Sequence, residues 1–154
     1  VLSNSRNVGV HGRVNKLGVP SFVFSRDEFA AGTPILEKLA EYDGCFIVLA
    51  GFMNKISDVI LQAFPGKIVN IHPALLPKYG GKGMYGMHVH EAVVKAGERE
   101  SGITIHYINE HYDEGAIIFQ ASCPVLPSDT PDEVAAKVHA LEYAHYPHVI
   151  ESLL

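Results

Sequence analysis

The chain has 154 residues, 47% hydrophobic and 19% charged, with a formal net charge of −5. That length suits one domain with a full core, and the acidic balance, with no basic run or stripe, argues against a nucleic-acid backbone binder. No apolar run reaches the ~18 residues of a membrane span, so a cytoplasmic protein is the default expectation.

Residues 1–4 read as the tail of a strand entering a loop, so the natural protein is expected to begin earlier. Residues 7–16 carry a weak helical pattern stopped at Gly18, and residues 19–24 form a short strand followed by a charged loop, Ser25-Arg26-Asp27-Glu28. Thr33 is placed to cap a helix with Pro34 at its first position and Ile35, Leu36, Leu39 and Ala40 as its buried stripe; Gly44 ends it. The apolar run 45–50 has the character of a central parallel strand covered on both faces. A turn over residues 51–55 and a short helix over 58–64 lead into a strand at 67–71. The loop 78–86 holds four glycines and reads as mobile, and a helix over 88–96 ends at Gly97. Residues 102–108 alternate, predicting a strand with one wetter face, and residues 116–125 form another strand. Thr130-Pro131-Asp132-Glu133 is a capping box that opens a helix running to about Tyr146. The order predicts a doubly wound α/β fold, a mostly parallel sheet with an antiparallel element near the C-terminus. Cys45 and Cys123 lie in apolar runs and read as buried free thiols without a metal or redox spacing.

The chemistry concentrates in Asn70-Ile71-His72-Pro73-Ala74-Leu75-Leu76-Pro77. Residues two apart leave a strand on one face, so Asn70 and His72 project together at the carboxyl end of a strand, where open α/β sheets bind ligands. Pro73 keeps His72 extended. Taken singly, Asn70 reads as a turn former, His72 as an ordinary histidine, and Asp113, in the tight loop before Gly115, as a turn signal. Taken together, an amide, an imidazole and a carboxylate suit acyl transfer without a covalent intermediate. The amide donates to a developing oxyanion, and the imidazolium acts as a general acid. No serine or cysteine occupies a nucleophile elbow, so the nucleophile must come from the substrate. His139, Glu142 and His145, or His88 and His90, have metal-ligand spacings, but no compact cluster completes a site and no metal is expected. Glu142 is expected to point into the same crevice as Asn70, as an acceptor for an amine or hydroxyl.

The run 70–77 followed by Asp113-Glu114-Gly115 resembles the folate-dependent formyltransferases, and the likeness extends over essentially the whole chain. Supporting pieces are Ala50-Gly51-Phe52-Met53, His88-Val89-His90-Glu91-Ala92, and His139-Ala140-Leu141-Glu142 with Tyr146-Pro147. The resemblance implies a Rossmann-like fold and formyl transfer from 10-formyltetrahydrofolate to the amine of glycinamide ribonucleotide in purine biosynthesis. It implies Asn70 as the oxyanion-stabilising amide, His72 as the acid and Asp113 as its proton-holding partner. It implies folate contacts at Arg26, Met53, Asn54, Lys55, Ile56 and Asn70, and at Asn109, Glu110, His111, Tyr112 and Asp113. The ribonucleotide is implied to meet His139, Ala140, Leu141 and Glu142. Partners are small molecules, with a homodimer as an option. The same residues leave two alternatives, a methionyl-tRNA formyltransferase-like enzyme and a non-catalytic folate-binding module. The chain departs from the family pattern in three places. It has no glycine-serine-rich phosphate loop near its start, Asn54-Lys55-Ile56 stands where many members carry arginine and two apolar residues, and the loop 80–86 is long enough to act as a lid.

Overall fold

A computed structural model describes residues 1–111 and 113–154. The chain divides into two compact units, Val1–Cys45 with Lys55–Ala63, and Phe46–Asn54 with Phe64–Leu154.

In the first unit, strand β1 (Leu2–Ser3) pairs in parallel with β2 (Phe22–Val23). Four helices accompany them: α1 (Gly9–Lys16), α2 (Arg26–Ala31), α3 (Thr33–Leu39) and α4 (Asp58–Ala63). The charged stretch expected as a loop is the start of α2. The Ser25 hydroxyl accepts from the Glu28 N–H, and the Glu28 carboxylate accepts from the Ser25 N–H. Serine followed three residues later by glutamate satisfies two otherwise orphaned donors, which outweighs the charge density. Thr33 is the first residue of α3 rather than its cap; the cap is Gly32, at φ +79°, where a Cβ would collide with the Ser57 hydroxyl. Ile35 is buried, while Leu36 and Leu39 are half-buried and Ala40 is exposed, so the stripe is narrower than its pattern.

In the second unit, β3 (Ile47–Leu49), β4 (Ile68–His72), β5 (Glu100–Tyr107) and β6 (Ile117–Pro124) form one sheet in that order. The β3–β4 pair is parallel, and β5 and β6 continue the sheet antiparallel, so the expected mixed α/β class with a late antiparallel element holds. Strand β3 is an edge of this sheet, not its centre, and Val48 is 38% exposed. An unbroken apolar run records hydrophobicity, whereas edge or centre is decided by which strand arrives next.

Helices α5 (Met87–Lys95) and α6 (Pro131–Leu153) complete the unit. The capping box at Thr130 and Glu133 forms as expected. Helix α6 does not stop at Tyr146; it continues through Pro147 to Leu153. The Tyr146 hydroxyl donates to the Leu49 carbonyl at 2.7 Å, and Val149 and Ile150 pack on the core. That burial offsets the donor a mid-helix proline removes. The core joins Ile71, Ile103 and Ile105 of the sheet to Val93 of α5 and to Val134, Val138 and Tyr146 of α6. Both cysteines are half-buried free thiols, less enclosed than their apolar neighbours suggest. Among the described residues no helix is long and apolar enough to cross a membrane.

Candidate active site

Register places the polar residues of three strands on one face of the second unit's sheet. Asn70 lies opposite His106 and His72 opposite Thr104, and Thr104 in turn lies opposite Gln120. Cross-strand partners share a face, so Asn70, His72, Thr104, His106 and Gln120 form one patch. The alternating residues Ile71, Ile103 and Ile105 belong to the core on the other face. The alternation in β5 is therefore real, but the expected wetter face is dry: Thr104 and His106 are both 0% exposed. The segment after β4 covers Thr104. Thr104 Oγ1 donates to the Ala74 carbonyl at 2.7 Å and accepts from the Leu76 N–H at 3.0 Å. Gln120 Nε2 donates to the Leu76 carbonyl at 3.1 Å and to Thr104 Oγ1 at 2.8 Å.

Within this patch the hydrogen-bond partners fix the proton positions. His106 Nδ1 sits 2.9 Å from the Tyr107 carbonyl, which can only accept, so Nδ1 donates. Its Nε2 then accepts from the Asn70 amide at 3.3 Å. This aims one Asn70 N–H at His106 and frees the other. Burial pushes the His106 imidazole below its ordinary range, against the Tyr107 carbonyl and the Asp113 charge, which favour the proton, and the ring stays neutral as that bond requires. His72 is buried, and its Nε2 donates to the Tyr79 carbonyl at 2.7 Å, which turns Nδ1 toward Asp113.

The carboxylate comes from the loop between β5 and β6. Asp113 adopts φ +56°, a left-handed conformation that aspartate tolerates better than most residues. Its Oδ2 accepts from the Gly81 N–H at 2.8 Å. Its Oδ1 lies 3.7 Å from both His72 Nδ1 and His106 Nε2, within ionic reach. Gly80 is needed here, because a Cβ would meet Leu76 Cδ2 at 2.6 Å and Asp113 Cβ at 3.2 Å. The glycine loop expected to be mobile is thus anchored in its first half, to His72 through Tyr79 and to Asp113 through Gly81.

Asn70 and His72 share a face as their strand spacing suggests, and the loop between β5 and β6 brings Asp113 to within 3.7 Å of His72. His106 is the member that sequence reasoning passes over. Its signal is present, since a histidine two residues after Thr104 in an alternating run falls on the same face as that threonine, but only the β4–β5 register sets it against Asn70. His90 of α5 is a further buried imidazole in addition to His72 and His106; its Nδ1 has no partner among the described residues, and burial, then the nearby His139 and His72, lowers its pKa.

A family model described as formyl transferase matches residues 1–150 of the chain. The chain belongs to the formyl transferase family. Relatives include the chloroplastic phosphoribosylglycinamide formyltransferase of Arabidopsis thaliana, 38% identical over 158 residues, covering 99% of this chain and 54% of that protein. The phosphoribosylglycinamide formyltransferase of Haemophilus influenzae is 37% identical, covering 98% of this chain and 71% of that protein. The crystal structure of phosphoribosylglycinamide formyltransferase from Streptococcus pneumoniae TIGR4 superposes with a TM-score of 0.89 at 37% identity, over 99% of this chain and 84% of that one. The chain spans about half the length of the plant proteins it matches, 54% in Arabidopsis and 45% in Vigna unguiculata.

For this member of the formyl transferase family, the remaining expected site residues fall in several places. Arg26, Lys55 and Ile56 belong to the first unit, with Arg26 opening α2, Lys55 beside Asp58 at 3.4 Å and Ile56 buried. Met53 (63% exposed) and Asn54 end the first segment of the second unit. Asn109 accepts from the His111 N–H at 2.9 Å, Glu110 and His111 are exposed, and Tyr112 lies outside the described residues. On α6, His139 Nδ1 and Glu142 Oε2 pair at 2.8 Å and Ala140 is exposed. Leu141 is half-buried and packs against the core, its step along α6 turning it toward the side of Val138. The Glu142 carboxylate, expected to face Asn70, is turned to His139 on its own helix. No three potential metal ligands cluster among the described residues.

Proposed function

We propose that the chain transfers a formyl group from 10-formyltetrahydrofolate to the primary amine of glycinamide ribonucleotide, a step of de novo purine biosynthesis, in the cytoplasm. One formyltransferase domain over residues 1–154 is part of the reading. The observation that carries it is Asn70 and His72 on one face of the sheet, with the Asp113 carboxylate 3.7 Å from His72 and from the His106 that holds Asn70, in a chain whose named relatives are phosphoribosylglycinamide formyltransferases.

The formyl donor supplies an electrophilic carbon bonded to the folate nitrogen, and the ribonucleotide supplies the attacking amine. Asn70 is fixed by His106 through one amide N–H, and its second N–H, without a partner among the described residues, donates to the formyl oxygen as that oxygen gains charge. A preset donor needs no reorganisation when the tetrahedral species forms. His72 keeps Nε2–H on the Tyr79 carbonyl, so Nδ1 is the nitrogen that takes and returns protons, with the Asp113 carboxylate 3.7 Å away to hold them. The proton lost by the attacking amine reaches the departing folate nitrogen through this pair as the old carbon–nitrogen bond breaks. Met53, Asn54, Asn70 and the loop from Asn109 to Asp113 are the folate side of the reading; His139, Ala140, Leu141 and Glu142 are the ribonucleotide side.

The test is a formyl-transfer assay on the protein with 10-formyltetrahydrofolate and glycinamide ribonucleotide, run in parallel with charged initiator tRNA. Formylation of the ribonucleotide alone is expected. Formylated tRNA would replace this reading with the methionyl-tRNA one, and tight folate binding without turnover would leave a binding module.

A further inference from the structure

The residues that place His72 extend beyond the polar face. The Tyr79 carbonyl that holds His72 Nε2 at 2.7 Å belongs to a residue at φ +55°, a left-handed conformation disfavoured for a bulky side chain. Two residues later, the Gly81 N–H holds Asp113. One tripeptide therefore orients both the imidazole and the carboxylate, and something must hold it in a disfavoured conformation. Its outer end is tied by a single oxygen: Glu98 Oε1 accepts from the Tyr79 hydroxyl at 3.0 Å and from Lys78 Nζ at 2.9 Å. Glu98 is itself fixed just past α5, where Gly97 turns at φ +66° and the Glu98 N–H donates to the Val93 carbonyl. Packing alone leaves the Tyr79 ring latitude. Although it touches the core on one side, it also lines a cavity of about 110 Å³ with Leu75, Val93, Glu98 and Ser101.

We propose that Glu98 is a positioning residue for the reaction, acting through the Tyr79 hydroxyl to hold the 79–81 tripeptide so that its carbonyl fixes the His72 ring and its N–H fixes Asp113. Glu98 touches neither the reacting atoms nor His72. It sits on the far side of Tyr79, and its ion pairing with Lys78 and bond from Tyr79 keep its carboxyl below the usual range, hence charged at neutral pH. The inference rests on the formyl-transfer reading for its catalytic consequence. The geometric part stands apart from it.

The experiment reads the His72 imidazole directly, by long-range nitrogen–proton correlation of the full chain labelled with ¹⁵N-histidine, the signal assigned by its loss in His72→Gln. The wild type is expected to show a proton fixed on Nε2. In Tyr79→Phe, which keeps the ring and the carbonyl, and in Glu98→Ala, the signal is expected to move toward an average of the two tautomers with circular dichroism unchanged. Glu98→Gln, which keeps an acceptor for Tyr79, restores the wild-type signal, and Lys78→Ala leaves it in place. With both substrates, kcat falls on the order of ten-fold or more in Tyr79→Phe while KM stays nearly constant, as expected when a catalytic group is displaced and substrate binding is left intact. An unmoved His72 signal in folded Tyr79→Phe, or a Gln variant as perturbed as the Ala variant, overturns the proposal. If Glu98→Ala does not fold, Tyr79→Phe decides. A moved signal in a protein that formylates nothing would uphold the clamp and sink the functional reading instead.

Discussion

Along β5 the two faces of the second unit's sheet are both dry, yet they are dry for opposite reasons. On one, Ile71, Ile103 and Ile105 meet α5 and α6 side chain to side chain, and burial is the stabilising term. On the other, Thr104 and His106 are as deeply buried with every polar atom matched, to Ala74, Leu76, Gln120, Asn70 or Tyr107. Such groups add little stability when satisfied and cost much when one partner is removed. The apolar face therefore tolerates exchange of one hydrophobe for another of like volume. The polar face admits only groups with the same donors and acceptors, which is how it can hold catalytic side chains in one orientation.

Mutation should separate the faces. The largest effect is expected at His72→Ala and Asp113→Ala, each lowering kcat by about 10²- to 10⁴-fold while the circular dichroism spectrum is retained. A near-normal rate in either variant would strike that residue from the mechanism. On the opposite face, Ile105→Ala should cost about 2–5 kcal/mol in urea unfolding, with kcat of the folded fraction unaltered. If it also lost activity selectively, the faces would not be separable. Thr104→Val lies between the two. It leaves the Leu76 N–H and the Ala74 carbonyl buried without a partner, so a loss of about 1–3 kcal/mol is expected, together with faster hydrogen exchange at the Leu76 amide.

The smallest effect expected is a pH dependence. Burial lowers the His106 pKa, so below the ordinary histidine value of about 6.5 the unfolded chain binds a proton that the folded chain refuses. Stability is then full above that value and falls as the pH drops below it; His90 contributes in the same direction. His106→Gln should flatten the decline in melting temperature between neutral and mildly acidic pH. An unchanged slope would mean that His106 takes up its proton over the same pH range in the folded and unfolded chains.

Much of the site is legible in the sequence. The i, i+2 spacing of Asn70 and His72, the prolines after them and the capping box at Thr130 are local rules with local causes, and all survive folding. Other expectations fail where local cues are outvoted by distant ones. Pro147 does not stop α6, because Tyr146 is anchored to Leu49, 97 positions away in sequence. The apolar run around Val48 does not become a central strand of its sheet, because β5 joins the far side of β4. At the start of α2 the cue is local after all, since the serine-to-glutamate spacing outranks the density of charge.

The sequence by itself determined which residue types could do acyl-transfer chemistry and which strand would present two of them, because side-chain alternation is a property of the backbone. The tertiary structure alone decided that His106 faces Asn70, that Asp113 comes within 3.7 Å of His72, and that the Tyr79 carbonyl chooses which nitrogen of His72 carries its proton. Those are pairings between strands and loops far apart along the chain. Antiparallel register and the path of a covering loop fix them, and neither follows from any one segment's own preferences.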